Sequence, residues 1–294
     1  MQDNRAIQML SAEIPLKGRS IPVYREIFSS GTLKGRASGF LSKLRGLLAQ
    51  DSSVIIIMDA GFGEDWLQAI EQQGWDWILR IRKGKNIRLM PEGAWINLKT
   101  DFPPIGTRAK SYAQASIMSR HAHACRIVTK KKSEQRTTSG YRKRPSNYHV
   151  GNDTYRRAAK EPWILATILS SQDCSTPQIV AYYSKRMQIE ESFRDVKRHR
   201  YGLGARYAKT TSVERWGVKM LLAAIVQVML WLIGVLGHSQ GFQKTFQVNT
   251  VKDKKIFSYF YLGKLIVEHQ MLSDITIEHE NLSKIIQDEL ERKW

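Results

Sequence analysis

The sequence predicts an α/β fold interrupted by a β-rich insertion and completed by a helical C-terminal part. Three observations predict it. The run SSVIIIMDAGF sets Val54, Ile55, Ile56 and Ile57 side by side, the pattern of a strand buried on both faces, and stops at Asp59 with Gly61 and Gly63 behind it. From about residue 86 to residue 161, short β-like pieces are broken by Pro91, Pro103, Pro104 and Gly106 and give way to a basic polar stretch. Strand and then helical patterning resume with PWILATIL and the run after Thr176. The expected parts are residues 1–85, the first part of the α/β domain; 86–161, the insertion with its basic loop; 162–252, the second part of the domain; and 253–294, a helical tail.

In chain order, RAIQMLSAEI and RSIPVYREIF are β-prone runs separated by a turn signal from Pro15 to Gly18, which predicts a hairpin. ASGFLSKLRGLLAQ puts Phe40, Leu41, Leu44, Leu47 and Leu48 on one helical face. After the Asp59 strand, EDWLQAIEQQG reads as a helix closed by Gly74, and WDWILRIRKG as a strand. In the insertion, IRLM, AWINL, ASIMSR and CRIVTK are the β-like pieces. Between Arg126 and Lys160, eleven Lys or Arg face only Glu134 and Asp153, the composition of a solvated loop, of a DNA-contacting segment, or of both. Thr176 and Pro177 supply a cap and a first-turn proline for the helix that follows.

With 46 Lys and Arg against 27 Asp and Glu, the 294-residue chain carries a net charge of +19 and calls for a polyanionic partner, nucleic acid before an anionic membrane. Residues 220–237, MLLAAIVQVMLWLIGVLG, are apolar enough to consider a membrane span, but Gln227 stands at their middle and a buried core helix is expected. Cys125 and Cys174 lie in no metal-binding or disulfide-framework spacing, and the first residues lack a secretory pattern, so a reducing cytoplasm is expected.

The most informative stretch is YSKRMQIEESFRDVKRH, residues 183–199. On one continuous helix, Tyr183, Arg186, Glu190 and Lys197 fall on a single stripe, and Ile179, Tyr182, Ile189, Phe193 and Val196 on a second that would pack against the sheet. A carboxylate on a phosphate-facing surface is costly unless a metal ion stands between the two charges. The plain alternative is that Glu190 and Glu191 make ordinary i,i+4 ion pairs with Arg186 and Arg194. Asp59, at the end of its strand, is equally either a turn former or a cation ligand.

The spacing Tyr183-x2-Arg186-x3-Glu190-x6-Lys197 resembles the YREK signature of the bacterial DDE transposases in the family named after insertion sequence 4, and most resembles the tetracycline-resistance transposon branch. IIIMDAGF, KEPWILAT, YGLGARYAKTTSVER and FQVNT extend the likeness from about residue 5 to residue 250. The resemblance implies an RNase H-like domain with a β-rich insertion, and a cut-and-paste DNA transposase that cleaves and transfers strands through hairpin ends. It makes Asp59 and Glu190 two of three catalytic carboxylates holding divalent metal, two Mg²⁺ ions in a complete site. Tyr183, Arg186 and Lys197 become phosphate contacts, and Trp163 a tryptophan that stacks on a flipped base, against its plain reading as an interior aromatic. Partners implied are double-stranded DNA, as terminal inverted repeats and target, and a second copy in a homodimer, on the bacterial nucleoid; the apolar run becomes a helix packed inside the domain, not a membrane span.

By the same resemblance, the first catalytic Asp falls a few residues before Met1, and Asp3 is the only nearby substitute. The chain is therefore expected to be an N-terminally shortened and inactive transposase, the alternative being a non-catalytic DNA-binding or dimerising fragment that inhibits a full-length enzyme. The chain from Met1 should show no Mg²⁺- or Mn²⁺-dependent nicking at a cognate transposon end, and restoring an upstream strand ending in Asp should create it. Specific nicking by the chain from Met1 would overturn this expectation.

Overall fold

The β-prone runs at the start of the chain pair as expected. β1 (Ile7–Pro15) runs antiparallel to β2 (Ser20–Ser29), with Ile7 opposite Ser29 and Pro15 opposite Ser20. Gly18 takes φ 90° in the connecting turn, a conformation that side chains with a Cβ resist. The computed structural model describes residues 7–16, 18–29, 33–82, 84–131, 161–197, 210, 212–247, 257–276, 283–285 and 287–288. Residues 132–160, most of the expected basic loop, and Asp3 lie outside them. The chain divides into a hairpin unit, residues 1–32 and 185–294, and a sheet unit, residues 33–184, cutting it at places other than the expected boundaries.

The sheet unit begins with α1 (Ala37–Arg45), whose Phe40, Leu41 and Leu44 are buried as the periodicity predicts. The helix stops at Gly46, so Leu47 leaves the apolar face and is exposed. β3 (Ile55–Met58), α2 (Glu64–Gln72) and β4 (Asp76–Arg80) follow, with Gly74 at φ 70° closing α2. Next come β5 (Asn86–Arg88), β6 (Ile96–Asn97), β7 (Lys110–Ile117), β8 (His123–Lys130) and β9 (Trp163–Thr167). They form one mixed sheet in the order β3-β4-β9-β8-β7-β5-β6, so the strands of the expected insertion continue the sheet that carries Asp59.

Strand β3 departs from expectation. It pairs, in parallel, with β4 and among the described residues stands at the edge of its sheet, with Ile55, Ile56 and Ile57 half-buried and Met58 buried. The fully enclosed strands are interior ones: every residue of β9 is buried. Ile78, Val128, Leu165 and Ile179 form the core of this unit together with Trp163 and Tyr183.

The single helix expected after Thr176 is two, α3 (Thr176–Lys185) and α4 (Met187–Lys197), broken at Arg186 beside the boundary between the units. A helical projection through Arg186 therefore does not hold, and no Pro or Gly there explains the break. Of the expected packing stripe, Ile179 and Val196 are buried and Tyr182, Ile189 and Phe193 half-buried.

In the hairpin unit, α4 docks on β2 through polar groups: Ser192 Oγ accepts from the Ser20 backbone N–H at 2.8 Å, and buried Asp195 pairs with Arg19. The apolar run forms α5 (Val213–Ser239), followed by α6 (Gln243–Phe246), α7 (Tyr259–Glu268) and a 3₁₀ turn, Leu272–Asp274. Ser212 and Ser258 cap α5 and α7 by accepting from the backbone N–H of Arg215 and Tyr261. Trp231 and Val235 pack with Leu16 and Tyr259, and Met220 and Ala223 with Val196. The expectation of a core helix holds for one side of α5, Gln227 included, whereas Val218, Leu221, Leu222, Ile225 and Met229 line an exposed apolar face; by length and composition α5 could cross a membrane.

Helices α5 and α7 approach backbone to backbone through glycine. A Cβ on Gly234 would lie 1.8 Å from the Tyr259 carbonyl oxygen, and one on Gly263 1.9 Å from that of Leu230. Alanine in an open helical position gains about 1 kcal/mol over glycine, but overpacking against backbone costs about 1–3 kcal/mol or more. Gly234→Ala should therefore lower the denaturant midpoint of unfolding. Gly217→Ala, in the same helix with nothing within 4 Å of the added methyl, should raise it. Equal shifts for the two variants would show that the close approach is not there.

Candidate active site

Asp59 leaves β3 directly after Met58, and the parallel register sets Met58 opposite Leu79. The next residue of each strand is then charged: Asp59 on one, Arg80 on the other. Arg80 Nη1 lies 3.9 Å from Asp59 Oδ1 and Arg82 Nη2 3.6 Å from Oδ2. The carboxylate is about one-third exposed, Arg80 is largely covered and Arg82 is open to solvent, so each contact contributes on the order of 1 kcal/mol or less. Arg80 also reaches Glu161, just before β9, at 3.2 Å. Behind Asp59, Gly61 and Gly63 lead the backbone into α2, with Gly63 as its N-cap.

A third group meets Asp59 from α3. The Tyr183 hydroxyl donates to Asp59 Oδ1 at 3.4 Å, and the ring, 1% exposed, packs edge-on against Trp163 with centroids 5.0 Å apart. Tyr183 is therefore a buried ring with its polar tip at Asp59, not a phenol displayed on an outer helical face. Trp163 opens β9 at 8% exposure, in the position of an interior aromatic. Asp59, Tyr183 and Trp163 thus come together in the sheet unit.

Arg186, Glu190 and Lys197 belong to the hairpin unit. Arg186 Nη2 bonds Glu190 Oε1 at 2.6 Å, an i,i+4 ion pair with the carboxylate nearly half exposed. Glu191 pairs with Arg194, and Lys197 is exposed at the end of α4. The plain reading of both glutamates as local helical ion pairs is thus realised, i,i+4 for Glu190 and i,i+3 for Glu191, and it leaves Glu190 accessible.

Sequence reasoning passed over Arg80 and Arg82, although LRIRKG shows two cations alternating at a strand end, the signature of side chains on one face. It also placed Arg126 at the head of the solvated basic run. Arg126 is instead buried on β8, where its guanidinium donates to Ser111 Oγ at 2.7 Å, the carbonyls of Ser170 and Cys174 at 3.1 and 2.6 Å, and Thr176 Oγ1 at 2.7 Å. It ties the sheet to the start of α3.

Among the described residues, no group of three or more His, Cys, Asp or Glu side chains is gathered to hold a metal ion. Burial pushes the Cys125 thiol up to about 12 and raises that of Cys174, so neither offers a thiolate. Asp59 could serve as one ligand in a shared site: its carboxylate stands at a strand end, part-exposed, and its contacts with Arg80, Arg82 and Tyr183 are long.

Residues 38–226, which include both Asp59 and Glu190, match the family described as Transposase DDE domain. The chain belongs to the DDE transposases. No curated protein matches it. As a DDE transposase it belongs among enzymes that use divalent metal ions and bind DNA.

The transposase can be tested at Trp163. Truncating a buried aromatic removes its packing and leaves a cavity, at a cost of about 3–5 kcal/mol, so Trp163→Ala should markedly lower the unfolding midpoint. An unchanged midpoint would mean that the ring is not part of the core.

Proposed function

We propose that this DDE transposase is of the YREK-signature kind named after insertion sequence 4, cutting and joining DNA at transposon ends with Asp59 and Glu190 as metal-holding carboxylates. The observation that carries this reading is the Tyr183 hydroxyl on Asp59: the first residue of the signature meets the carboxylate that ends the strand. Tyr183 orients Asp59, Arg186 holds Glu190, and Lys197 is an exposed cation for a phosphate. Mg²⁺ held by the two carboxylates would supply charge neutralisation at the attacked phosphodiester. In this reading each end is sealed as a hairpin before strand transfer and two copies of the chain handle two ends; Trp163 would have to leave Tyr183 to stack on a base.

A second reading, DNA binding without cleavage, is favoured by one observation: Asp59 is ion-paired with Arg80 and Arg82, and among the described residues no carboxylate cluster surrounds it. The two readings separate on a labelled transposon-end duplex. In a cleavage-competent form of the chain, Asp59→Ala and Glu190→Ala should each lower Mg²⁺-dependent nicking by orders of magnitude while duplex affinity changes little. Nicking that survives either substitution would remove that residue from the catalytic set. Duplex binding with no nicking in any form would leave the second reading.

A further inference from the structure

A cleft of about 570 Å³ opens in the sheet unit beside Asp59. Its walls come from residues 60–64 after β3, residues 79–82 and 84–86 at and after the end of β4, and residues 117–120 at the turn between β7 and β8. Arg80, Arg82, Lys85 and Arg120 line it with Asn86 and Ser119. The carboxylate on its wall, Glu64, is engaged by His121, whose Nδ1 lies 2.7 Å from Glu64 Oε2. Arg82, Lys85 and Arg120 are exposed, and among the described residues Lys85 and Arg120 have no ion-pair partner.

Cations gathered around one cleft repel one another, and the arrangement is relieved when a polyanion enters. Its position next to Asp59 limits what that polyanion is. We propose that the cleft is a binding site for the phosphodiester backbone of the DNA strand flanking the bond to be cut, with Arg82, Lys85 and Arg120 as its phosphate-contacting residues. The proposal rests on Asp59 as the cutting site for the strand's direction, but not for the binding itself. Arg82 lies between the two regions: its guanidinium is 3.6 Å from Asp59 Oδ2 and also lines the cleft, so it joins the strand path to the candidate active site. The turn bearing Arg120 is tied to α2 by His121 on Glu64, while His123 Nε2, at the start of β8, lies 2.9 Å from Glu71 Oε1. Both contacts help fix Arg120 on the wall.

The test uses equilibrium binding of the full chain to a mixed-sequence DNA duplex over a range of salt concentrations, without divalent metal. Removing one phosphate-binding cation reduces the steepness of log affinity against log salt by about 0.9. The triple variant Arg82→Gln/Lys85→Gln/Arg120→Gln should flatten that slope by about 2 to 3. A control, Lys99→Gln/Arg108→Gln/Lys110→Gln, removes the same charge from exposed positions that do not line the cleft, and should flatten it by less than about 1. An Arg82→Lys/Arg120→Lys variant, which keeps the charge, should retain most of the original slope. Unfolding midpoints of all variants should match the parent, because the substituted side chains are exposed. Equal flattening in the cleft and control sets, or none in the cleft set, would overturn the proposal while leaving the Asp59 and Glu190 assignment standing. Absence of duplex binding by the parent chain would overturn both. Cleft-dependent binding in a chain whose Asp59→Ala variant still nicks DNA would keep the cleft and discard the catalytic assignment.

Discussion

Parallel pairing of β3 with β4 decides where the charge of the site goes. Because Met58 faces Leu79, Asp59 leaves the end of β3 beside Arg80, the last residue of β4, and Arg82 follows two residues on. A shift of one residue would reverse which side chains point into the core and would carry Asp59 away from both guanidiniums. The antiparallel partner on the far side of β4, β9, is buried throughout and fixes Trp163 against Tyr183, whose hydroxyl then meets Asp59. Strand register thus links a buried ring, a carboxylate and a cationic cleft.

What could be read in the sequence follows from what is local. The apolar run stopping at Asp59, the hairpin, the glycine-closed helix α2 and the short strands after residue 86 are all signalled by neighbouring residues, and all are present. The edge position of β3 was not legible, because an apolar run reports how hydrophobic a strand is and not how many partners it has. Tyr183 was misplaced for a different reason: a helical projection carries phase across any residue, and here the helix breaks at Arg186. Arg126 was lost to averaging, since a window rich in cations says nothing about which one turns inward. At the candidate site, Asp59 was found through its strand end, whereas Arg80 and Arg82 needed the pairing of two strands before their nearness to it had any meaning.

The hairpin unit holds its layers together with polar groups as much as with apolar ones. Glu13 and Arg25, both nearly inaccessible, pair across β1 and β2 at 2.9 Å, and Ser11 and Ser20 bond to them. Asp195 on α4 pairs with Arg19 in the hairpin turn. Buried charges of this kind specify more than they stabilise: their attraction roughly offsets the loss of hydration, but a docking that separated them would leave a bare charge in the interior. A helix rich in charge, with little apolar surface of its own, gains a defined seat in this way. The partners that seat α4, Asp195 with Arg19 and Ser192 with Ser20, are more than 170 residues apart along the chain, so no local pattern announces them.

The exposed apolar face of α5 sets a limit on how this protein can be handled. Val218, Leu221, Leu222, Ile225 and Met229 form a sticky ridge on a molecule whose excess of nineteen positive charges keeps copies apart. That repulsion reaches only about 10 Å at 0.1 M salt and shrinks as salt rises. Conditions that strip nucleic acid from the protein during purification therefore also remove the force that keeps it dispersed. Colloidal stability and freedom from bound DNA pull in opposite directions, and a neutral solubilising agent, not salt, is the means of having both.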